Sequence, residues 1–172
     1  MKTKYLLLAA ALSWTAALFA APPAGGKVEV IFDHPEKYTD VKDDDIGTEK
    51  GRDGYLGVIK EYLTERGPRY IPEGQTLTVT FKDIDMAGDF EPWRGIDFQH
   101  VRIVKEIYPP RMNFSYKVVD ASGAVVKEGE EKLVNLGFQM SASPINANDS
   151  LRYEKAMLDD WLRNTFPKNK KK

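Results

Sequence analysis

An α+β fold is predicted for this chain: a mostly antiparallel sheet of four or five strands, with two helices packed on one face. Three observations predict it. Leu77, Val79 and Phe81 alternate with Thr76, Thr78, Thr80 and Lys82, the two-residue period of a strand with one packed face and one wet face. Met112, Phe114, Tyr116 and Val118 alternate in the same way. The turn residues Asp120-Ala121-Ser122-Gly123 then send the chain back through a charged run, which reads as a hairpin. Two other segments carry apolar residues at helical spacing, one in the first half and one near the end. In chain order the elements give β-α-β-β-β-β-α, a helix-on-sheet layering.

Residues 1–20 have the pattern of a cleavable secretory leader. Lys2 and Lys4 precede an uncharged run from Tyr5 to Phe19, and Ala20 and Ala21 follow. The run is short for a membrane span, so cleavage after Ala20, a periplasmic location and no transmembrane segment in the mature chain are expected. Residues 21–26, rich in Pro, Gly and Ala, form a flexible lead-in; residues 27–166 form a single globular domain; residues 167–172 are a basic disordered tail.

Within the domain, Lys27 to Phe32 alternates well enough for a first strand. Asp33 to Gly51 is polar and reads as a long surface loop. Its Asp43-Asp44-Asp45 run lacks the alternating ligands and later glutamate of a calcium loop. Tyr55, Leu56, Ile59, Tyr62 and Leu63 set the first helix over about Asp53 to Arg66, and Gly67-Pro68 ends it. Pro72-Glu73-Gly74 makes a turn into the Thr76–Lys82 strand, and Asp83 to Gly95 follows as a loop. His100 to Ile107 is read as a further strand, ended by Tyr108-Pro109-Pro110. Arg111 to Asp120 and Ala124 to Leu133 are the hairpin, and the charges on its second strand place that strand at an edge. After a loop over Gly137–Ala147, Asn148, Asp149 or Ser150 caps a helix from about Ser150 to Phe166. Leu151, Leu158 and Leu162 form its apolar stripe, with Tyr153, Met157 and Trp161 alongside.

Composition excludes several functions. The chain has no cysteine, hence no disulfide, thiol nucleophile, cysteine metal site or N-terminal lipid anchor. Its formal charge of −1 becomes −3 once the two leader lysines are removed, which leaves no basic footprint for nucleic acid. The two histidines, His34 and His100, sit at element boundaries and give no nucleophile–base arrangement. No phosphate-cradling or dinucleotide glycine motif is present, and no cofactor is expected.

The stretch Asp83–Gly95 is the candidate site. Asp83, Asp85, Asp89 and Glu91 could cluster to hold a hard divalent cation, or to raise one carboxyl's pKa for hydrolysis. The competing reading is that they cap backbone donors and pair with Arg94 or Arg111, and it is favoured. Trp93 and Arg94, flanked by Pro92 and Gly95, have the chemistry of an interaction hot spot, joined by Tyr108 and Arg111 if both loops lie at one sheet end. Trp93 reads equally well as a plug folded into the core, whereas Trp161 reads as core.

The blocks Asp83-Ile-Asp-Met-Ala-Gly, Glu91-Pro92, Pro109-Pro110-Arg111 and Arg152-Tyr-Glu-Lys-Ala-Met-Leu158 resemble the domain-of-unknown-function family 3016 of exported bacterial proteins. The resemblance covers nearly all of the chain after the leader. It implies one small exported domain from Gram-negative bacteria and carries no catalytic residue over. The chain departs from the family's pattern at Asn135, often acidic there, and at Phe138, often tyrosine. The expected function is a non-catalytic module that binds an envelope protein, peptide or glycan. A carboxylate-centred hydrolase or divalent-metal binder is the alternative.

Overall fold

The computed structural model describes residues 25–140 and 147–166. The leader, most of the lead-in, the lysine tail and part of the Gly137–Ala147 loop lie outside the described residues. Four strands form the main sheet: β1 (Lys27–Phe32), β2 (Thr76–Asp85), β5 (Arg111–Val119) and β6 (Val125–Val134). Their spatial order is β1-β2-β5-β6. β1 lies parallel to β2, with Val28 opposite Leu77 and Val30 opposite Val79, and the other two pairings are antiparallel. The parallel pair follows from α1 (Glu49–Arg66), which lies between β1 and β2 in the chain and supplies the crossover that parallel neighbours need. The α+β reading with a mostly antiparallel sheet therefore holds, with four strands in the main sheet.

Alternation does what it predicts. Leu77, Val79, Phe81, Met112, Phe114, Tyr116 and Val118 are buried against Leu56, Ile59 and Leu63 of α1 and against Leu158, Trp161 and Leu162 of α2 (Arg152–Thr165). Both helices share that one core. Phe114 meets the Trp161 ring edge-on, with centroids 4.8 Å apart, so Trp161 is core as expected. β6 is an edge strand with a largely exposed, charged sequence, also as expected. Its Gly129 leaves room for the Tyr116 ring: a Cβ there would lie 2.9 Å from ring atoms.

Three expectations are corrected. α1 begins at Glu49, four residues before the expected Asp53, because Asp43 accepts from the backbone N–H and hydroxyl of Thr48 at 2.8 Å each. Thr48 Oγ1 in turn accepts from Gly51 N at 2.9 Å, an N-cap. Thr48→Ala is expected to lower stability by about 1 kcal/mol, read as a shifted denaturant midpoint with unchanged slope. The Asp33–Gly51 segment is not a surface loop throughout, since Tyr38, Asp40 and Val41 are buried. Tyr38 donates its hydroxyl to Phe81 O at 2.9 Å, and Asp40 forms a parallel bridge to Asp85. The strand expected over His100–Ile107 shrinks to β4 (Arg102–Ile103). It pairs with the two-residue β3 (Asp89–Phe90) in a separate small sheet. β1 and β5 already occupy both sides of β2, so this segment does not pair beside it.

The last helix has Leu151 as its N-cap and no side-chain cap, so the cap expected from Asn148, Asp149 or Ser150 is not made; Asp149 instead accepts from Leu151 N at 2.9 Å, just ahead of the helix. Two acidic residues of that helix, Glu154 and Asp159, are buried. Asp159 lies under Arg66 (2.7 Å) and Arg163 (3.2 Å). Burial pushes its carboxyl up, and the Arg66 bond more than offsets this, leaving it below the ordinary value.

Candidate functional site

The site is built at the sheet end where β2 stops and β5 starts. β2 continues past a bulge at Lys82 to Asp85, so Asp83 and Asp85 belong to the strand and not to a loop. Asp83 accepts from Thr39 N at 2.7 Å and Thr39 Oγ1 at 2.8 Å. This holds the incoming chain so that Asp40 N reaches Ile84 O and Met86 N reaches Asp40 O, both at 3.0 Å. The Asp40 side chain then meets Arg102 from β4 in a fork, at 2.6 and 3.0 Å. The same guanidinium donates to Gly88 O (2.9 Å) and Lys42 O (3.0 Å), and its carbon sits 4.6 Å from the Phe90 ring centroid. Gly88 has φ +80, and a Cβ on it would lie 2.9 Å from Ile103 O, so only glycine lets the β2–β3 turn pass so close to β4.

Glu91 is the second anchor. It is 2 % exposed and accepts from Arg94, from Lys105 at 2.5 Å and from the Tyr108 hydroxyl at 3.0 Å. The Lys105 bond, followed by those from Tyr108 and Arg94, holds its carboxyl below the ordinary value. A single carboxylate thus ties together the start, the far part and the end of the 92–108 segment.

No residue between 92 and 108 is buried. The segment is an arm fixed at its base by Glu91 and Arg102, with its apolar side chains left in solvent. Trp93 is 71 % exposed, Ile96 78 % and Ile107 71 %, and Phe98, Val101 and Val104 are exposed as well. Ile46 joins this pole because Asp45 N donates to Gln99 O at 3.1 Å. Val134 and Leu136 join it because Asn135 N donates to Pro110 O at 3.3 Å. Beside the arm, Asp85, Asp89, Tyr108 and Arg111 line a shallow cleft of about 290 Å³ together with Thr39, Asp40 and Ile107. A larger trough of about 550 Å³ runs over the outer face of the sheet. It is floored by threonine and serine and crossed by the pairs Lys82–Glu130 and Lys117–Glu128.

Of the eight residues expected at the site, Asp85, Asp89, Tyr108 and Arg111 line one cleft. The other four expected residues separate. Asp83 serves Thr39, Glu91 lies buried behind Tyr108, Arg94 pairs with Glu91, and Trp93 stands in solvent and is not a core plug. Arg111 reaches Asp85 at 2.6 Å. Burial pushes the Asp85 carboxyl above its ordinary value even with that bond. Among the described residues no three His, Asp or Glu side chains are grouped to hold a metal ion. Sequence reasoning missed Asp40, Arg102 and Lys105, which position the arm. Asp40 lies in a polar loop rich in aspartate and Arg102 within a strand-like apolar run, 62 residues apart. It also missed Glu154, although that residue interrupts the Leu151–Leu158 stripe.

The family model described as protein of unknown function (DUF3016) matches residues 26–164, and the chain belongs to that family. No significant match to a curated protein or to a solved structure was found. No helix among the described residues is long and apolar enough to cross a membrane.

Proposed function

We propose that this member of the DUF3016 family is a non-catalytic binding module of the bacterial cell envelope, exported to the periplasm, that captures an envelope component with the 92–108 arm and its neighbours. One observation carries this reading. An arm pinned by two buried carboxylates displays Trp93, Ile96 and Ile107 to solvent. Exposed apolar side chains gathered at one place mark interaction surfaces, and an arm tied at its base by Glu91 and Arg102 has less ordering entropy to lose on binding than a free loop. The periplasmic location rests on the leader pattern of residues 1–20. The alternative of a carboxylate-centred hydrolase or metal binder has less support, because Asp83, Asp85 and Glu91 are each committed to a separate donor.

Trp93→Ala is expected to leave the denaturant midpoint within about 0.5 kcal/mol of the parent, as for a surface site. It is expected to weaken capture by about 2 kcal/mol, the scale of an interface hot spot. A photo-crosslinking residue at position 93 should give discrete adducts in intact cells, while the same residue at exposed Val125, at the other end of the sheet, should give none of them. Identical adducts from both positions would remove the assignment of the arm as the binding surface.

A further inference from the structure

Resting on the reading of the arm as a binding surface, we infer that its partner is a cationic amphipathic protein segment, one apolar stripe bordered by lysine or arginine. The charge around the arm chooses between partners. Over residues 40–46 and 83–111 there are ten acidic and five basic residues. Four of the five basic side chains are consumed internally. Arg94 and Lys105 bind Glu91, Arg102 binds Asp40, and Arg111 binds Asp85, which leaves Lys42. Asp45, Asp89, Asp97 and Glu106 have no cationic partner within 4 Å among the described residues. Interdigitated with them are Trp93, Ile96, Phe98, Val101, Val104 and Ile107.

Apolar anchors with an uncompensated acidic border complement a segment whose apolar stripe is flanked by positive charge, the mode in which amphipathic helices are captured. The same border repels an anionic bilayer surface or an anionic glycan, because like charges brought together at an interface cost several kcal/mol. Cationic segments are attracted over roughly a Debye length, about 8 Å at physiological salt, so the acids raise the rate of encounter and the apolar side chains hold the complex.

The test uses the chain without residues 1–20 and three probes. The first is an 18-residue helical Leu/Lys peptide, the second the same peptide with Glu at every Lys, and the third is vesicles of phosphatidylethanolamine and phosphatidylglycerol. The Leu/Lys peptide is expected to bind at least tenfold tighter than the Leu/Glu peptide, with affinity falling as salt is raised. Trp93→Ala should weaken both peptides. The triple variant Asp45→Asn, Asp97→Asn, Glu106→Gln, which touches none of the internal ion pairs, should weaken only the Leu/Lys peptide, by about tenfold. Equal affinity for both peptides, still lost in Trp93→Ala, would overturn the cationic partner and leave the arm as a binding surface. Binding that Trp93→Ala does not change would overturn the arm itself. Binding to vesicles and to neither peptide would make the partner a lipid surface, and no binding to any probe would also overturn the inference.

Discussion

Arg102→Ala is expected to lower folding stability by about 3 kcal/mol, because it strips the counter-charge from Asp40 and leaves that carboxylate buried alone. Asp40 is 7 % exposed, and the fork from Arg102 supplies its only ion pair among the described residues. The same change removes the donors to Gly88 O and Lys42 O, which join the β2–β3 turn, the loop before α1 and the arm. The arm should therefore loosen together with the loss in stability. Amide exchange at Gly88 and Ile103 is expected to accelerate far more than at Val79 in the middle of β2, and capture of the partner should fall although no exposed apolar side chain has changed. Arg102→Lys keeps the charge but has one compact head where four contacts are needed, so it should recover only part of the loss. A denaturant midpoint for Arg102→Ala within 0.5 kcal/mol of the parent would show that the fork is not what holds the arm in place.

The arrangement explains why the framework was legible in the sequence and the site less so. β6 is marked by the turn before it and by its charges, and β1, β2 and β5 each carry a local signal, the two-residue alternation of Val28 and Val30 or of Phe114 and Tyr116. Burial of one sheet face forces that signal on the sequence. The two helices carry the 3.6-residue signal for the same reason. Nothing local marks Asp40 and Arg102. Their pairing is set by the parallel bridge of Asp40 to Asp85 and by the close pass at Gly88, both products of tertiary structure. The arm fails as a sequence-read strand for a related reason. Val101, Ile103 and Ile107 look like strand residues, but β2 is already paired on both sides, the segment pairs only with the two-residue β3, and most of it stays in solvent. Trp93 could not be assigned to core or surface because a lone tryptophan in a loop has no period. The burial of Glu91 under Tyr108 and Lys105 decides it, by drawing Arg94, Lys105 and Tyr108 toward one carboxylate while Trp93 stays in solvent.

Glu154 links the last helix to this site, and its titration should be visible in stability. Its Oε1 accepts from Ala87 N at 2.7 Å, next to the Gly88 carbonyl that Arg102 grips. Its Oε2 is buried with no hydrogen-bond partner. Burial pushes its carboxyl above the ordinary value of 4.5, and the Ala87 bond and the Arg102 charge oppose that rise without cancelling it. The folded state therefore holds this proton to higher pH than the unfolded chain does. The stability Glu154 contributes is full below about 4.5 and is lost as pH rises through the raised folded value. Glu154→Gln keeps an acceptor for Ala87 N and cannot ionise. Its melting temperature, compared with the parent's from pH 4 to pH 8, should match at the acidic end and exceed it increasingly toward neutrality. Glu154→Ala orphans the Ala87 amide and should cost about 1–3 kcal/mol relative to Glu154→Gln at every pH. If the gap between parent and Glu154→Gln were flat across that range, the buried carboxyl would not be titrating. Near-equal stability of the Gln and Ala variants would show that the Ala87 contact adds nothing to the join between α2 and the base of the arm.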